Sequence, residues 1–328
     1  MSVKEMAVMA AFADVSGYSS VWAPEGTGRT RTAQQSGADA FSLLTVWAMQ
    51  TTRIELATGI VAIYTRSPMA TAMHAATLSE LAPGRIVLGI GSGHANSARE
   101  AFGFHTPLSL STVADYGAIL RGLLDGQSVT HSGEAFSTSE AFLGTEGIGK
   151  ARVVLAALGP KMSELAGRHF DGVLWNWLTP DSMTQRSASL RNQVPSSCQD
   201  FRMSTNVRVA VGERTSDARK ALAAELLRYC LVPDYRRHFH RQGLGDLVEI
   251  VDQALARKGG GQEVAIHLLE KRNELDLLGI ADTPRNARAK LRQMQAETDI
   301  ELVVRPVGGM DGHNIWPVVT AMAPSAPG

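Results

Sequence analysis

A chain of 328 residues, 44% hydrophobic and 20% charged, can bury a large core and lacks the composition of a disordered polymer. Lysine plus arginine equals aspartate plus glutamate at 32 each, so there is no net basic field for binding a phosphate backbone, and no nucleic-acid partner is expected. Cys198 and Cys230 make neither a disulfide framework nor a zinc spacing, no window approaches about 18 uncharged apolar residues, and Glu5 and Asp14 interrupt the first apolar run; a cytoplasmic protein with no membrane segment is expected.

Short β-rich runs alternate with amphipathic stretches, the pattern of βα units around a parallel sheet. Residues 3–16 read as a helix, Ser19–Trp22 as a short strand, and 38–50 as a helix with Phe41, Leu44 and Ala48 on one face. Arg53–Ile63 reads as a buried strand. Pro68 opens a helix to Leu81, which stops at Pro83-Gly84. Arg85–Ile90 is β-rich and empties into a small-residue loop, GIGSGHANS, before a long helix at Leu110–Leu124. Residues 126–150 have no sustained period and suit an insertion or a hairpin over SVTHSGEAFS. Alternation resumes with strand Arg152–Ala157, helix 160–169, strand Gly172–Trp175, helix 180–192, strand Thr205–Val211 and helix 215–230. The stretch 233–281 reads as a charged helical excursion, followed by helix 284–296 and a strand at 300–305, giving seven strands in all.

Two loops after strands carry possible chemistry. In GIGSGH at 89–94, small residues let backbone N–H groups approach a phosphate or a flat ring, although a third glycine of the dinucleotide fingerprint is absent and a tight turn explains the same pattern. In LGPKM at 158–162, the free N–H groups of the following helix can receive an anion, and an ordinary β-to-α turn reads equally well. WNW at 175–177 can provide a wall of indoles or simple core packing. His94 can handle a proton or stand as a solvated loop residue. Glu25 can be a general acid or base, or a helix-capping carboxylate. His74 and His313 read as structural. No histidine spacing suggests a metal, and no nucleophile elbow is present.

Taken in order, GYSSVWAPE at 17–25, DAFSLL at 39–44, TTRIELATGIVAIYTRSP at 51–68, ATLSELAPGRIVLGIGSGH at 76–94 and LAALGPKMSELAGRHFDGVLWNWLTP at 155–180 resemble the bacterial luciferase-like monooxygenase superfamily. VWAPE, DAFSLL and TGIVAIYTRSP look closest to actinobacterial members that use the deazaflavin coenzyme F420, with flavin mononucleotide (FMN) as the alternative. The resemblance implies an α/β fold, a TIM-like (β/α)8 barrel forming a single domain over 1–328 with insertions near 126–150 and 233–281. It also implies a strand before the first helix; that strand is missing here. By the same resemblance a non-proline cis bond joins Gly59 to Ile60, Gly91, Ser92, Gly93, His94 and Ser97 line the cofactor, and Leu158, Gly159, Pro160 and Lys161 meet its phosphate or tail, with the ring near Trp175 and Trp177. Many relatives have a histidine directly after the residue matching Glu25, where this chain has Gly26.

The resulting expectation is an oxidoreductase that moves hydride between reduced F420 and a small organic substrate, with His94 and Glu25 handling protons, acting as a homodimer. Two other readings remain open: an FMN- and oxygen-dependent monooxygenase fed by a separate flavin reductase, and a non-catalytic paralogue that binds a flavin or pairs with an active subunit.

Overall fold

The computed structural model describes residues 1–25, 38–144, 151–195, 198, 200–257, 259–308 and 314–326. They form two compact units: residues 1–157, 161–173 and 193–201, and residues 158–160, 174–192 and 202–328.

The first unit begins with α1 (Val3–Val15), closed at its start by a capping box in which Ser2 and Glu5 satisfy each other's backbone N–H groups. It continues through β1 (Ser20–Ala23), α2 (Ala40–Gln50), β2 (Glu55–Thr58), β3 (Val61–Ala62), α3 (Pro68–Leu81), β4 (Ile86–Gly91), α4 (Ala95–Phe102), α5 (Leu110–Leu124), β5 (Val129–Ser132), β6 (Ser137–Ala141), β7 (Arg152–Ala157) and α6 (Pro160–His169). Strands β1, β2, β4 and β7 pair in that order, all parallel, and β3 lies beside the end of β4. The strands are almost wholly apolar, as a sheet covered on both faces requires. Phe41, Leu44 and Ala48 are buried, as their spacing predicts. Asp14 fixes the end of α1 to the start of β2: its carboxylate accepts from the backbone N–H groups of Thr52 at 2.9 Å, Arg53 at 3.3 Å and Ile54 at 2.8 Å. Burial works against its charge, and those N–H groups outweigh burial and hold its pKa below the ordinary value.

The segment 126–150 contains the expected hairpin, β5 antiparallel to β6; residues 145–150 lie outside the described set. The expected strand 53–63 is two strands, Glu55–Thr58 and Val61–Ala62, on either side of Gly59-Ile60. Helix α4 occupies part of the stretch expected to be loop. Among the described residues α1 precedes every strand.

The chain leaves the first unit within β8 (Gly172–Asn176). The second unit then holds α7 (Pro180–Arg191), β9 (Arg202–Val211), α8 (Thr215–Cys230), α9 (Pro233–Arg241), α10 (Gly245–Ala256), α11 (Gln262–Leu269), α12 (Leu275–Leu278), β10 (Gly279–Asp282), α13 (Pro284–Ala296), β11 (Glu301–Pro306) and α14 (Trp316–Ala321). Strand β9 is central, with β10 and β11 parallel on either side of it. The excursion 233–281 is helical as expected but ends in β10, a strand missing from the count of seven. Helices α8 to α12 bury Leu222, Leu226, Phe239, Val251 and Leu269 in one apolar cluster. Within it Cys230 is buried, and burial pushes its thiol up to about 12; Cys198 is exposed.

No helix among the described residues is long and apolar enough to cross a membrane, and among them no three His, Cys, Asp or Glu side chains gather as metal ligands.

Candidate functional site

In the first unit the glycines of β4 let two stretches of backbone approach closely. A Cβ on Gly89 would stand 2.1 Å from the carbonyl oxygen of Thr58, so only glycine allows the turn at 58–60 to lie on β4. The Thr58 hydroxyl donates to the Gly89 carbonyl at 2.8 Å. A Cβ on Gly91 would meet Ile60 Cδ1 at 3.0 Å and Ala156 Cβ at 3.1 Å. The Gly59–Ile60 bond is cis, as the resemblance implied. Gly93 has φ +62°, and its free face lies against the Tyr64 ring. The backbone N–H of His94 donates to the Tyr64 hydroxyl at 3.4 Å, and Ser92, Gly93 and His94 are half-buried. Ser97 lies in α4, with its side chain outside the described set.

Glu25 is not placed as a free acid. One carboxylate oxygen pairs with Arg66 at 2.9 Å and the other accepts from the backbone N–H of Ala40 at 2.8 Å, at the start of α2. Its side chain is 5% exposed, so both oxygens are occupied away from water. The geometry matches the capping alternative and corrects the expectation of a proton-handling carboxylate. Arg66 also binds Asp39 and lies over the Phe41 ring, which His74 stacks against at 4.6 Å. His74 is thereby part of the packing; burial first, then the Arg66 charge, lowers its pKa. His313 lies outside the described residues.

In the second unit the loop Leu158–Pro160 carries a concentration of positive charge. Arg186 donates to the Leu158 carbonyl at 3.0 Å, and the open face of Gly159 looks onto the Arg241 guanidinium at 3.8 Å. Among the described residues neither arginine has a carboxylate within ion-pair distance. Burial first, and the neighbouring Arg241 charge second, bring Arg186 down to about 10. Two cations without a counter-ion among the described residues are suited to receiving an anionic group. Lys161 follows in the first turn of α6 and is exposed.

His238 holds this loop region together. It is fully buried, and its Nε2 lies 3.0 Å from the carbonyl oxygens of both Asn176 and Trp177. Trp177, at φ +55°, is in the left-handed region, and Gln242 adds a second donor to its carbonyl at 2.9 Å. Burial and the Arg186 charge bring His238 down to about 4, so it is neutral at pH 7. Trp175 and Trp177 both have 0% exposure, and the Trp177 ring packs on Tyr229 and Phe239 with Arg208 over its face at 4.3 Å. Their surfaces are already covered by protein, which corrects the expectation of a ring wall and fits the core-packing alternative.

The sequence profile of the luciferase-like monooxygenases matches residues 1–299. The chain belongs to this luciferase-like family. It is 34% identical over 174 residues to the 5,10-methylenetetrahydromethanopterin reductase of Methanolobus tindarius, an alignment that covers 53% of this chain and 50% of that protein. The chain thus spans about half the length of the curated relatives it matches. Its fold is similar to that of the coenzyme F420 dependent tetrahydromethanopterin reductase of Methanopyrus kandleri, with a TM-score of 0.77, 19% identity and coverage of 99% and 95% of the two chains. It also resembles the FMN-bound oxygenating constituent of 3,6-diketocamphane monooxygenase of Pseudomonas putida, with a TM-score of 0.65, 16% identity and coverage of 99% and 93%. The chain is also 32% identical over 175 residues to a putative coenzyme F420-dependent oxidoreductase of Mycobacterium tuberculosis, an alignment that covers 49% of each.

Proposed function

We propose that this luciferase-like chain transfers hydride between reduced coenzyme F420 and a small organic substrate. The observation that carries the reading is the likeness to the putative coenzyme F420-dependent oxidoreductase of Mycobacterium tuberculosis, and the second unit adds a physical reason: Arg186 and Arg241 beside Gly159 fit the phosphate of a coenzyme tail. Those arginines and the backbone of Gly159 and Pro160 would hold the tail, and the bound deazaflavin would supply the hydride. In the first unit, His94, whose backbone N–H donates to the Tyr64 hydroxyl, is the candidate for handling a substrate proton. Glu25 has no part in proton transfer in this reading. Exposed apolar side chains on α1, α2 and α3, among them Val15 at 80%, Met49 at 72% and Met73 at 57%, fit a homodimer.

The test is an anaerobic fluorescence titration with F420 and, separately, with FMN, followed by turnover of the bound coenzyme with candidate substrates. Binding of F420 in preference to FMN supports the reading. Preference for reduced FMN with oxygen consumption replaces it with the monooxygenase reading, and binding of neither replaces it with the paralogue reading.

A further inference from the structure

Arg208 and Arg305 are directly paired across β9 and β11, so their side chains leave the same face of the sheet. On that face Gly279 of β10 is paired with Arg208 as well, and the position of its absent Cβ abuts Leu222 of α8. Arg208 is 2% exposed. Its two terminal nitrogens donate to the Asn176 side chain and, at 2.8 Å, to the Tyr229 hydroxyl, while its Nε is buried with no hydrogen-bond partner. Arg305 is half-buried and finds no hydrogen-bond acceptor among the described residues. The nearby carboxylate of Glu225 is beyond ion-pair distance from either and is already bound to Arg228.

Two adjacent guanidinium groups, one fully buried, thus have unused N–H donors and no paired anion among the described residues. Burial first, and the charge of Arg208 second, lower the pKa of Arg305, as two cations drawn out of water and toward each other require. Such a pair costs free energy unless an anion neutralises it, and the planar fork of a guanidinium matches the two oxygens of a carboxylate or phosphate. We infer that Arg305 and Arg208, beside the Tyr229 hydroxyl, form a binding site for an oxyanion carried by a ligand of this protein. Tyr229 accepts from Arg208 and holds it in place, and Arg305 supplies the free fork. The site selects for a phosphate or carboxylate group and against neutral and cationic ligands. It stands independently of which coenzyme the protein uses.

The inference is tested on the full chain by titrating inorganic phosphate at constant ionic strength, with tryptophan fluorescence as the signal, because Arg208 lies 4.3 Å over the Trp177 ring. The expected result is a saturable change in the wild type, with the midpoint raised by about tenfold or more in Arg305→Met. Arg214→Met, at an exposed arginine, is expected to leave the midpoint unchanged. No saturation in the wild type, or an Arg305→Met curve that overlays the wild type, overturns the inference, and the wild-type arm decides it if the variant fails to fold. The source of the oxyanion is read by repeating the comparison with F420 and with its tail-less, uncharged chromophore. Weaker binding of intact F420 alone in Arg305→Met assigns the site to the coenzyme tail. Unchanged F420 binding with lost phosphate binding assigns it to the substrate.

Discussion

His238 predicts a pH dependence that can be worked through from its surroundings. In the folded protein it titrates at about 4, against an ordinary value of 6.5, because it is buried and lies near the Arg186 charge. Below pH 6.5 the unfolded chain takes up a proton on this residue that the folded chain refuses, so stability is full above 6.5 and falls as the pH drops toward 4. At about 1.36 kcal/mol per pH unit, the interval is worth about 3 kcal/mol. The perturbation is His238→Gln, which keeps a donor near the carbonyls of Asn176 and Trp177 and removes the titration. Urea unfolding followed by circular dichroism at pH 7, 6 and 5 should show the wild type losing stability faster than the variant. The variant should be weaker at pH 7 and should converge on the wild type at pH 5. Parallel losses in the two proteins would refute the assignment of a neutral, buried His238.

Gly89→Ala should be among the most damaging changes in β4, costing about 3 kcal/mol or more, because the new methyl would stand 2.1 Å from a backbone oxygen that cannot move aside; thermal melting reads this directly. Arg241→Met should weaken F420 binding by about tenfold while sparing the tail-less chromophore, since it removes one charged donor from the Gly159 loop. Equal losses for both ligands would point to a folding defect in place of a lost contact.

Elements with a sharp start and stop were legible in the sequence: strand Arg152–Ala157 has an apolar run that ends at Gly159-Pro160, and helix Pro68–Leu81 opens on a proline and stops at Pro83-Gly84. Strand Gly279–Asp282 was not legible, since four residues ending a charged helical stretch offer no alternation to read. Helix Ala95–Phe102 was hidden for a related reason: its first turn is made of the same small residues as the loop before it. Glu25 and the two indoles of WNW were found by type and position, but their roles depended on partners far along the chain, Arg66 and Ala40 for Glu25 and Tyr229, Phe239 and Arg208 for Trp177. Arg186, Arg241 and His238 carry no motif in the sequence, and only the fold brings them to Leu158, Gly159 and Asn176. Arg208 and Arg305 did carry a signal, since each interrupts an apolar strand run, NVRVAV and ELVVRP, where a charge is costly unless it has a task.

The proposed function makes the chain an oxidoreductase that works with a deazaflavin. The most direct measurement is the anaerobic comparison of F420 and FMN binding to the purified full chain, by the change in fluorescence of each coenzyme. The expected result is saturable binding of F420, tighter than that of FMN and weakened in Arg186→Met and Arg241→Met. Binding of FMN alone, or F420 binding untouched by both substitutions, would contradict it.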